Sequence, residues 1–545
     1  MVILFFFLFK KKKNNYIFIF YQKKKKKLIL QKKKQQLKKN YEKELQQKKQ
    51  QALEKLQEQQ DLDEFEVQPT KKILSNLTKG KSQQEEITEI RKDCPYISTI
   101  KRHMLDFDFE KLCSISLANL NVYACLICGK YYQGRCKNTN AYLHALETNH
   151  HMYINLHNAK VYCLPDNYEV QDQSLNDIKY NLAPTYSQEQ IKNLDTLKPS
   201  SKALNGIDYI PGFVGLNNIK MNDYVNVIIQ ALCRVPLLRD QIILYNNTVN
   251  QDVFDLKTLL SKRFSNLIKK IWNPKNFKGQ VSPHELLQAI VLKSNKKFNI
   301  NLQSDPIKLL CWLLNSIQIE LKDTHFSDLI ENCFKGEVEV HTYKPLQNQI
   351  GYSSVPKIEA MSFIYLTLNI PPPPLHKDDS LKINIPEMPI FNLLKKFDGV
   401  TTYDNPKFRK TYRIKKLPKY LILHMERFTF NKYYLEKNPT IVRFPLNNLD
   451  LKGCIYKNIN KVYILFQQKD VDEGSCTKYN LLASICHEGP TKNGIYKIHV
   501  RNKANNQWFE IQDLYITQVI PQRISVSEAY IQIYERIEEG FEIQN

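Results

Sequence analysis

The chain of 545 residues carries 79 lysines and arginines against 55 aspartates and glutamates, a formal net charge of +24. Its content of 42% hydrophobic and 11% aromatic residues excludes a globally disordered chain. At about 100–200 residues per domain, the length predicts two to four domains. A charge of this size is typical of proteins that bind nucleic acid, anionic membranes or acidic partners.

More than half of the excess charge lies in the first 60 residues, which contain 18 lysines and four acidic residues. Residues 1–90 are therefore predicted to form a basic low-complexity tail, partly helical or disordered. The lysine runs also fit a nuclear-import signal or an RNA contact. The apolar run at residues 2–9 precedes its lysines, unlike a secretory signal, and a membrane span needs about 20 residues, so no membrane association is predicted.

Cysteines and histidines are concentrated after this tail. The sequence Cys125-x-x-Cys128 places two thiols on one side of a tight turn, and His144 and His150 follow. Residues 141–149 are predicted to be a helix, so His150 must lie where the chain turns back at the helix end. Two thiolates and two imidazoles make a tetrahedral zinc site. One structural zinc ion is therefore predicted on Cys125, Cys128, His144 and His150.

The neighbouring cysteines compete less well for metal. Cys94 and Cys113 could bind a second ion, but Ser116 stands where a second cysteine of a pair would be expected. Cys136 follows an arginine, and Cys163 lies in a segment with strand character. These four are predicted to be buried or free thiols. Disulfides are not expected in a chain without a secretory signal.

Residues 91–170 resemble the zinc finger of ubiquitin proteases, the UBP-type finger, which is a small α/β module. Members that bind ubiquitin hold its C-terminal Gly-Gly in a pocket lined by an arginine and aromatic rings. The residues that match parts of this pocket are Tyr123, Arg135 and Tyr162. Gln133 and Leu164 depart from the family pattern. These departures argue against ubiquitin binding and favour a structural or protein-docking role.

Residues 171–205 are polar and predicted to be a connector, and residues 206–536 form one large domain. Apolar residues at three- and four-residue spacing predict helices at 222–233, 255–271, 283–293 and 307–321. Alternating, β-branched and aromatic residues predict strands at 334–343, 362–368, 420–428, 461–466, 478–487, 495–502 and 506–512. Helices followed by antiparallel strands indicate the α+β class. Residues 537–545 remain as a short C-terminal tail.

The large domain resembles the ubiquitin-specific proteases, which are papain-like thiol hydrolases. The matches are a cysteine box beginning at 215–218, a central strand motif at 417–424, a histidine box at 479–496 and closing motifs at 508–513 and 529–530. They cover nearly the whole of this domain. The resemblance implies an α+β chain in which a small UBP-type zinc finger is followed by a papain-like ubiquitin-specific protease fold.

A thiol protease needs a cysteine nucleophile at a helix start, a histidine base and an orienting Asp or Asn. The resemblance places Asp223 at the nucleophile position and Ile495 at the base position. A carboxylate attacks amides poorly, and isoleucine cannot accept a proton. Asn218 matches the oxyanion-hole donor and Asp513 the orienting residue. The chain is therefore predicted not to be an enzyme.

A relocated catalytic pair is the alternative. Cys233 lies ten residues after Asp223, about 15 Å along a helix that rises about 1.5 Å per residue. His487 and His499 lie on either side of Ile495 in the sequence. His487 matches a non-catalytic position of the family, and His499 lies two alternations from Ile495 on the predicted strand. These features argue against a substitute pair.

The finger followed directly by a domain without nucleophile and base resembles the ubiquitin-protease-like splicing factors of the U4/U6.U5 tri-snRNP. The strings that carry this resemblance are 94–96, 105–114, 162–168, 283–285, 436–442 and 527–533. The resemblance implies a nuclear, non-catalytic scaffold of pre-mRNA splicing that binds spliceosomal snRNP proteins and supports tri-snRNP assembly or stability. Direct RNA contact stays open. A ubiquitin-binding reader and a residual deubiquitinase are the alternative functions.

Overall fold

The computed structural model describes residues 89–537, with gaps at 197–199, 249–257, 346–351, 354, 373–384, 406–407, 432, 455–476 and 492. Nearly all of the two predicted tails and the whole predicted strand at 461–466 lie outside the described residues. Every helix in the described part of the chain is too short or too polar to cross a bilayer.

The finger is built from a six-stranded sheet and one helix. In the spatial order β1-β6-β5-β4-β2-β3, its strands are β1 (Ile90–Arg91), β6 (Tyr168–Val170), β5 (Val161–Cys163), β4 (Met152–Asn155), β2 (Val122–Cys125) and β3 (Tyr131–Gln133). Helix α1 (Asn140–Thr148) confirms the predicted helix, and Asn149 ends it in a left-handed conformation with φ of 55°. The chain therefore turns back immediately before His150, as the zinc ligand set requires.

The connector is folded and contributes to two cores. It contains α2 (Asn176–Leu182) and α3 (Gln188–Lys192), followed by the short strands β7 (Ser201–Lys202) and β8 (Asp208–Tyr209). Ile178 and Leu182 are buried in the core of the finger, whereas Tyr186 and Ile191 are buried in the core of the large domain. The polar composition of this segment concealed both helices, since each buries only one or two side chains.

The first half of the large domain is helical. Its helices are α4 (Asp223–Leu232), α5 (Pro236–Thr248), α6 (Leu259–Ile271), α7 (His284–Lys293), α8 (Pro306–Leu321) and α9 (Leu329–Phe334). All four predicted helices are confirmed, and α5 and α9 are additional. Every residue of α4 is buried, which makes it the central helix of the domain.

In the described residues, the second half contains a central sheet, a four-stranded sheet and two two-stranded sheets. The remaining strands are β9 (Gly215–Leu216), β10 (Gln280–Val281), β11 (Gly336–Tyr343), β12 (Lys357–Phe363), β13 (Tyr365–Asn369), β14 (Glu387–Pro389), β15 (Tyr403–Asn405), β16 (Phe408–Lys416), β17 (Tyr420–Glu426), β18 (Phe428–Phe430), β19 (Leu435–Lys437), β20 (Ile441–Arg443), β21 (Leu449–Asp450), β22 (Lys478–Glu488), β23 (Ile495–Arg501), β24 (Trp508–Gln512), β25 (Tyr515–Val519) and β26 (Ala529–Arg536), with the short helices α10 (Ile390–Leu394) and α11 (Pro521–Ser525).

The central sheet has the order β13-β17-β26-β22-β23-β24-β25, with β21 beside β22. It is antiparallel except for the parallel pair β13–β17, and it is buried on both faces. On one face Ile498, Val500 and Ile533 pack with the helices. On the other face Leu423 and Tyr534 belong to a second core. The predicted α+β arrangement is therefore present.

Acidic side chains fasten the finger to the large domain. Asp108 accepts hydrogen bonds from the Lys270 ammonium at 2.9 Å and from the backbone N–H of Ser282 at 2.8 Å. Asp106 pairs with Lys278 at 2.6 Å. The Asp108–Lys270 pair is the more buried, with side-chain exposures of 19% and 12% against 28% and 43% for Asp106 and Lys278. The segment before the zinc ligands is thus a docking element within the chain.

Candidate functional site

The four predicted metal ligands meet at one end of the finger. Cys125 ends β2, Cys128 lies in the following turn, His144 projects from α1, and His150 follows the left-handed Asn149. Their ligand atoms all lie within 4.8 Å of one another. The separations are 3.6 Å from Cys125 Sγ to His150 Nδ1, 3.5 Å from Cys128 Sγ to His144 Nε2, and 3.2 Å between the two imidazole nitrogens.

These separations fit a tetrahedral zinc ion. Zinc bonds of about 2.3 Å to sulfur and 2.0 Å to nitrogen place neighbouring ligand atoms about 3.3–3.8 Å apart. The hydrogen bond with Cys125 lowers the pKa of the Cys128 thiol, and a thiolate is the form that binds metal. Gly129 has φ of +75°, and an added Cβ would collide with the Met104 carbonyl oxygen. The turn after Cys128 therefore requires glycine.

The other cysteines of the finger are free thiols, as predicted. Cys94, Cys113 and Cys163 are buried, and Cys136 is exposed. Within the described residues, the only metal-binding cluster is that of the four ligands above. The sulfur of Cys113 instead accepts a hydrogen bond from the backbone N–H of Ser116 at 3.4 Å.

The three residues matched to a ubiquitin-tail pocket lie together. The Arg135 guanidinium lies 4.5 Å from the centre of the Tyr162 ring and donates a hydrogen bond to Asn167 at 2.9 Å. Tyr123 packs edge-on against Tyr162, with 5.9 Å between ring centres. Both tyrosines are only 5% exposed. The side chains therefore pack on one another, and Arg135 covers the face of the Tyr162 ring.

In the large domain, the start of α4 faces the start of β23. The Asp223 carboxylate accepts hydrogen bonds from the backbone N–H of Tyr496 at 3.0 Å and from the Gln303 amide at 2.7 Å. Gln303 also donates to the Gly494 carbonyl oxygen at 3.0 Å. Ile495 lies between Gly494 and Tyr496, is 44% exposed, and offers no polar side-chain atom. Asp223, the residue predicted at the nucleophile position, is thus tied to the strand that begins with Ile495, the residue predicted at the base position.

Asn218 and Asp513 also come together. The Asn218 amide donates to one carboxylate oxygen of Asp513 at 2.9 Å, and the Asn226 amide donates to the other at 2.8 Å. The backbone of Asn222 donates to the Asn218 side-chain oxygen at 3.1 Å. Both oxygens of Asp513 are therefore occupied by amides of this chain.

Two residues of this site were missed by the sequence interpretation. Asn226 is a polar residue on a mainly apolar helix and is only 2% exposed, so its position inside the apolar stripe of α4 was an available signal. Gln303 lies in the segment before α8 and 80 residues from Asp223. No local pattern marks it.

A thiol, an imidazole and a carboxylate do line up elsewhere in the sheet. The Cys486 sulfur lies 3.8 Å from His499 Nδ1, and His499 Nε2 lies 2.9 Å from a Glu510 oxygen. Cys486 and His499 are only 2% and 1% exposed, and burial raises the pKa of Cys486 to about 12. The Cys486 thiol is therefore buried and cannot be reached by a protein substrate. Cys233 is fully buried as well.

Asp223 is held in an environment that disfavours its charge. Burial raises its pKa above the usual range, although the Tyr496 N–H and the Gln303 amide offset part of this shift. Its second oxygen is buried and has no hydrogen-bond partner among the described residues. An ionised Asp223 therefore weakens the folded state at neutral pH.

We expect Asp223→Asn to stabilise the folded chain at neutral pH. The amide oxygen keeps both hydrogen bonds, and the unpartnered ionised oxygen is replaced by a neutral group. Because folding raises the pKa of Asp223, its destabilising effect is present above that pKa and disappears as the pH falls through it. Thermal unfolding at several pH values, with Asp323→Asn at an exposed position as control, measures this. A stability gain from Asp223→Asn that persists unchanged at acidic pH would contradict the explanation.

Comparison with known proteins agrees with this geometry. The family model of the ubiquitin carboxyl-terminal hydrolases matches residues 214–534, and the zinc finger of ubiquitin hydrolases and other proteins matches residues 113–175. The chain belongs to the ubiquitin carboxyl-terminal hydrolase family. The predicted fold, a UBP-type finger followed by a papain-like ubiquitin-specific protease domain, is confirmed. The finger match and the four converging ligands identify zinc as the cofactor of this hydrolase-family chain.

Three members of the family align with most of the length of this chain. Ubiquitin carboxyl-terminal hydrolase 39 of Mus musculus is 44% identical over 462 residues, which cover 81% of this chain and 80% of that protein. The probable mRNA-splicing protein ubp10 of Schizosaccharomyces pombe is 38% identical over 477 residues, covering 85% and 92%. The crystal structure of an essential yeast splicing factor superposes with a TM-score of 0.64 at 27% identity, covering 81% and 100%.

Proposed function

We propose that this chain is a non-catalytic scaffold of pre-mRNA splicing that supports the assembly or stability of the U4/U6.U5 tri-snRNP in the nucleus. The observation that carries the proposal is the similarity to splicing proteins along both domains. The fission yeast relative is 38% identical over 92% of its length, and the yeast splicing factor is covered completely. Its partners would be spliceosomal snRNP proteins.

The cleft supports a role without catalysis. Asp223 stands at the nucleophile position and is held by hydrogen bonds from Tyr496 and Gln303. Ile495 stands at the base position and cannot take a proton from any nucleophile. Asn218 donates its amide to Asp513 instead of facing a substrate. The polar groups of the cleft are therefore engaged in hydrogen bonds with one another and with the backbone.

We expect no release of fluorophore from a ubiquitin C-terminal fluorogenic amide. Asp223→Cys alone should stay inactive as well, because Ile495 cannot deprotonate the new thiol. The assay follows fluorescence at high protein concentration, with an active member of the family as positive control. Turnover by the unchanged protein that is abolished by Asp223→Ala would establish a residual deubiquitinase.

A pull-down from nuclear extract tests the scaffold proposal. The tagged full chain should enrich the U4, U5 and U6 RNAs over other small nuclear RNAs. Asp223→Asn should enrich them equally, because no catalytic step is required. Failure to enrich these three RNAs, or dependence of their capture on Asp223, would contradict the proposal.

We infer that the finger does not read the ubiquitin C-terminus. Arg135 is already engaged by the Tyr162 ring and by Asn167. We expect a titration of the full chain with ubiquitin to show no saturation at micromolar concentrations. Micromolar binding that Arg135→Ala removes would support the reader function, with Lys137→Ala as a control at an exposed neighbouring position.

A further inference from the structure

Two loops lie side by side at the edge of the cleft. The first, residues 217–222, leads into α4 and ends directly before Asp223, and the second, residues 294–304, lies between α7 and α8. The backbone N–H of Met221 in the first loop donates to the carbonyl oxygen of Ile300 in the second at 3.0 Å. The two loops therefore form one continuous surface beside the cleft.

Three exposed lysines lie on this surface, Lys220, Lys296 and Lys297. The Lys220 ammonium donates to the side-chain oxygen of Asn301 at 2.8 Å, which joins the loops a second time. The Lys297 ammonium lies 5.5 Å from the centre of the Phe298 ring. None of the three lysines forms an ion pair with a carboxylate in the described part of the chain. The surface therefore carries three positive charges that these residues do not neutralise.

Neither loop contains an acidic side chain, and the carboxylates that follow them are engaged elsewhere. Asp223 is held inside the cleft by the Tyr496 N–H. Asp305 accepts hydrogen bonds from the Tyr530 hydroxyl at 2.7 Å and from the backbone N–H of Ile307 at 3.1 Å. A charge complementary to the lysines must therefore come from another molecule.

The second loop is held in a defined conformation. Asn295 and Lys296 have φ of 51° and 63°, in the left-handed region that residues other than glycine rarely adopt. The backbone N–H of Lys296 donates to the Val291 carbonyl oxygen at 2.8 Å. Phe298 is only 1% exposed and packs against Trp312, with 5.4 Å between ring centres. The lysines beside it are therefore presented on an ordered backbone, which lowers the entropic cost of binding a partner.

Aliphatic side chains accompany the lysines. Ile219, Met221 and Leu302 are 38%, 40% and 70% exposed. The loops contain no arginine, and their one aromatic side chain, Phe298, is buried. Single-stranded RNA is recognised largely by stacking on exposed rings and arginine planes, which this surface does not offer. Lysines among aliphatic side chains favour a protein partner instead.

We propose that the surface formed by residues 217–222 and 294–304 binds an acidic protein segment that also carries aliphatic side chains. Its carboxylates lie against Lys220, Lys296 and Lys297, and its aliphatic side chains cover the exposed aliphatic residues between them. The proposal rests on the scaffold function, since it gives the chemistry of one partner contact. It can nevertheless fail while the U4, U5 and U6 RNAs are still enriched by the full chain.

A fluorescein-labelled peptide made of Glu-Glu-Leu repeats is the probe. Fluorescence anisotropy of this peptide with the full chain should show saturable binding at low salt that weakens as salt is added, as contacts between exposed charges do. The triple variant Lys220→Gln, Lys296→Gln, Lys297→Gln should lower the affinity by at least about fivefold, because several exposed ion pairs are lost. Its melting temperature should match that of the unchanged chain, because all three side chains are exposed.

The matched control is the triple variant Lys130→Gln, Lys137→Gln, Lys192→Gln, which removes three exposed lysines elsewhere. Both triple variants lose the same charge and keep the basic tail at residues 1–90, so the contribution of the tail is the same in both. The control should change the affinity by less than about twofold.

Absence of saturable peptide binding, or equal losses of affinity in the two triple variants, would overturn the proposal. Equal affinity for a peptide with glutamine in place of glutamate, or with serine in place of leucine, would overturn it as well. If the loop variant loses affinity for a labelled oligouridine and keeps its affinity for the peptide, the surface binds RNA and the proposal is wrong.

Discussion

Cys128→Ser is expected to remove zinc from the finger and to unfold it. The ligands join β2, the turn after it, α1 and the segment before β4, so the ion connects most of the elements of this small domain. Binding of structural zinc contributes about 10 kcal/mol or more to the folding of such fingers. Metal analysis should give one zinc per unchanged chain and none for the variant. Circular dichroism should show lost structure.

Cys136→Ser is the matched control, since Cys136 is an exposed thiol of the same finger and lies outside the ligand cluster. It should keep its zinc and its stability. Full zinc occupancy in Cys128→Ser would show that the ligand assignment is wrong. Absence of zinc from the unchanged chain would show that the finger has no metal centre.

Asp108→Ala is expected to destabilise the chain by about 3–5 kcal/mol, the usual cost of removing one partner of a buried ion pair. It leaves the buried Lys270 ammonium without its carboxylate and the backbone N–H of Ser282 without its acceptor. Chemical denaturation followed by tryptophan fluorescence measures the loss.

Asp106→Ala provides the comparison. Its partner Lys278 is 43% exposed, and a pair this accessible contributes about 1 kcal/mol or less. Equal losses for the two variants would mean that burial of the Asp108–Lys270 pair does not determine the strength of this docking contact.

Much of the fold follows from local patterns, and the failures have physical causes. The helices α6, α7 and α8 were predictable because each buries a periodic apolar face, and α4 because apolar residues recur along a helix that is buried on all sides. The strand β12 was predicted only at its last residues, because its side chains are almost all exposed. Its position is determined by backbone pairing with β11, which leaves no mark on hydrophobic periodicity.

The candidate site was also predictable only in part. The zinc ligands were predictable because thiols and imidazoles at these spacings have few other uses. The assignment of Asp223 and Ile495 to the nucleophile and base positions rests on motifs of the family and stays a prediction. The contact between α4 and β23 did not, since Asp223 and Tyr496 are 273 residues apart and Gln303 comes from a third segment. Such contacts depend on tertiary packing.

The connector is buried in the cores of both domains and so fixes the orientation of the finger relative to the large domain. Ile178 and Leu182 are inserted in one core and Tyr186 and Ile191 in the other, all within one short stretch of chain. Rotation of the finger relative to the large domain would pull apolar side chains out of one core or the other. Two proteins that bind the finger and the large domain would therefore be held at a constant distance from each other.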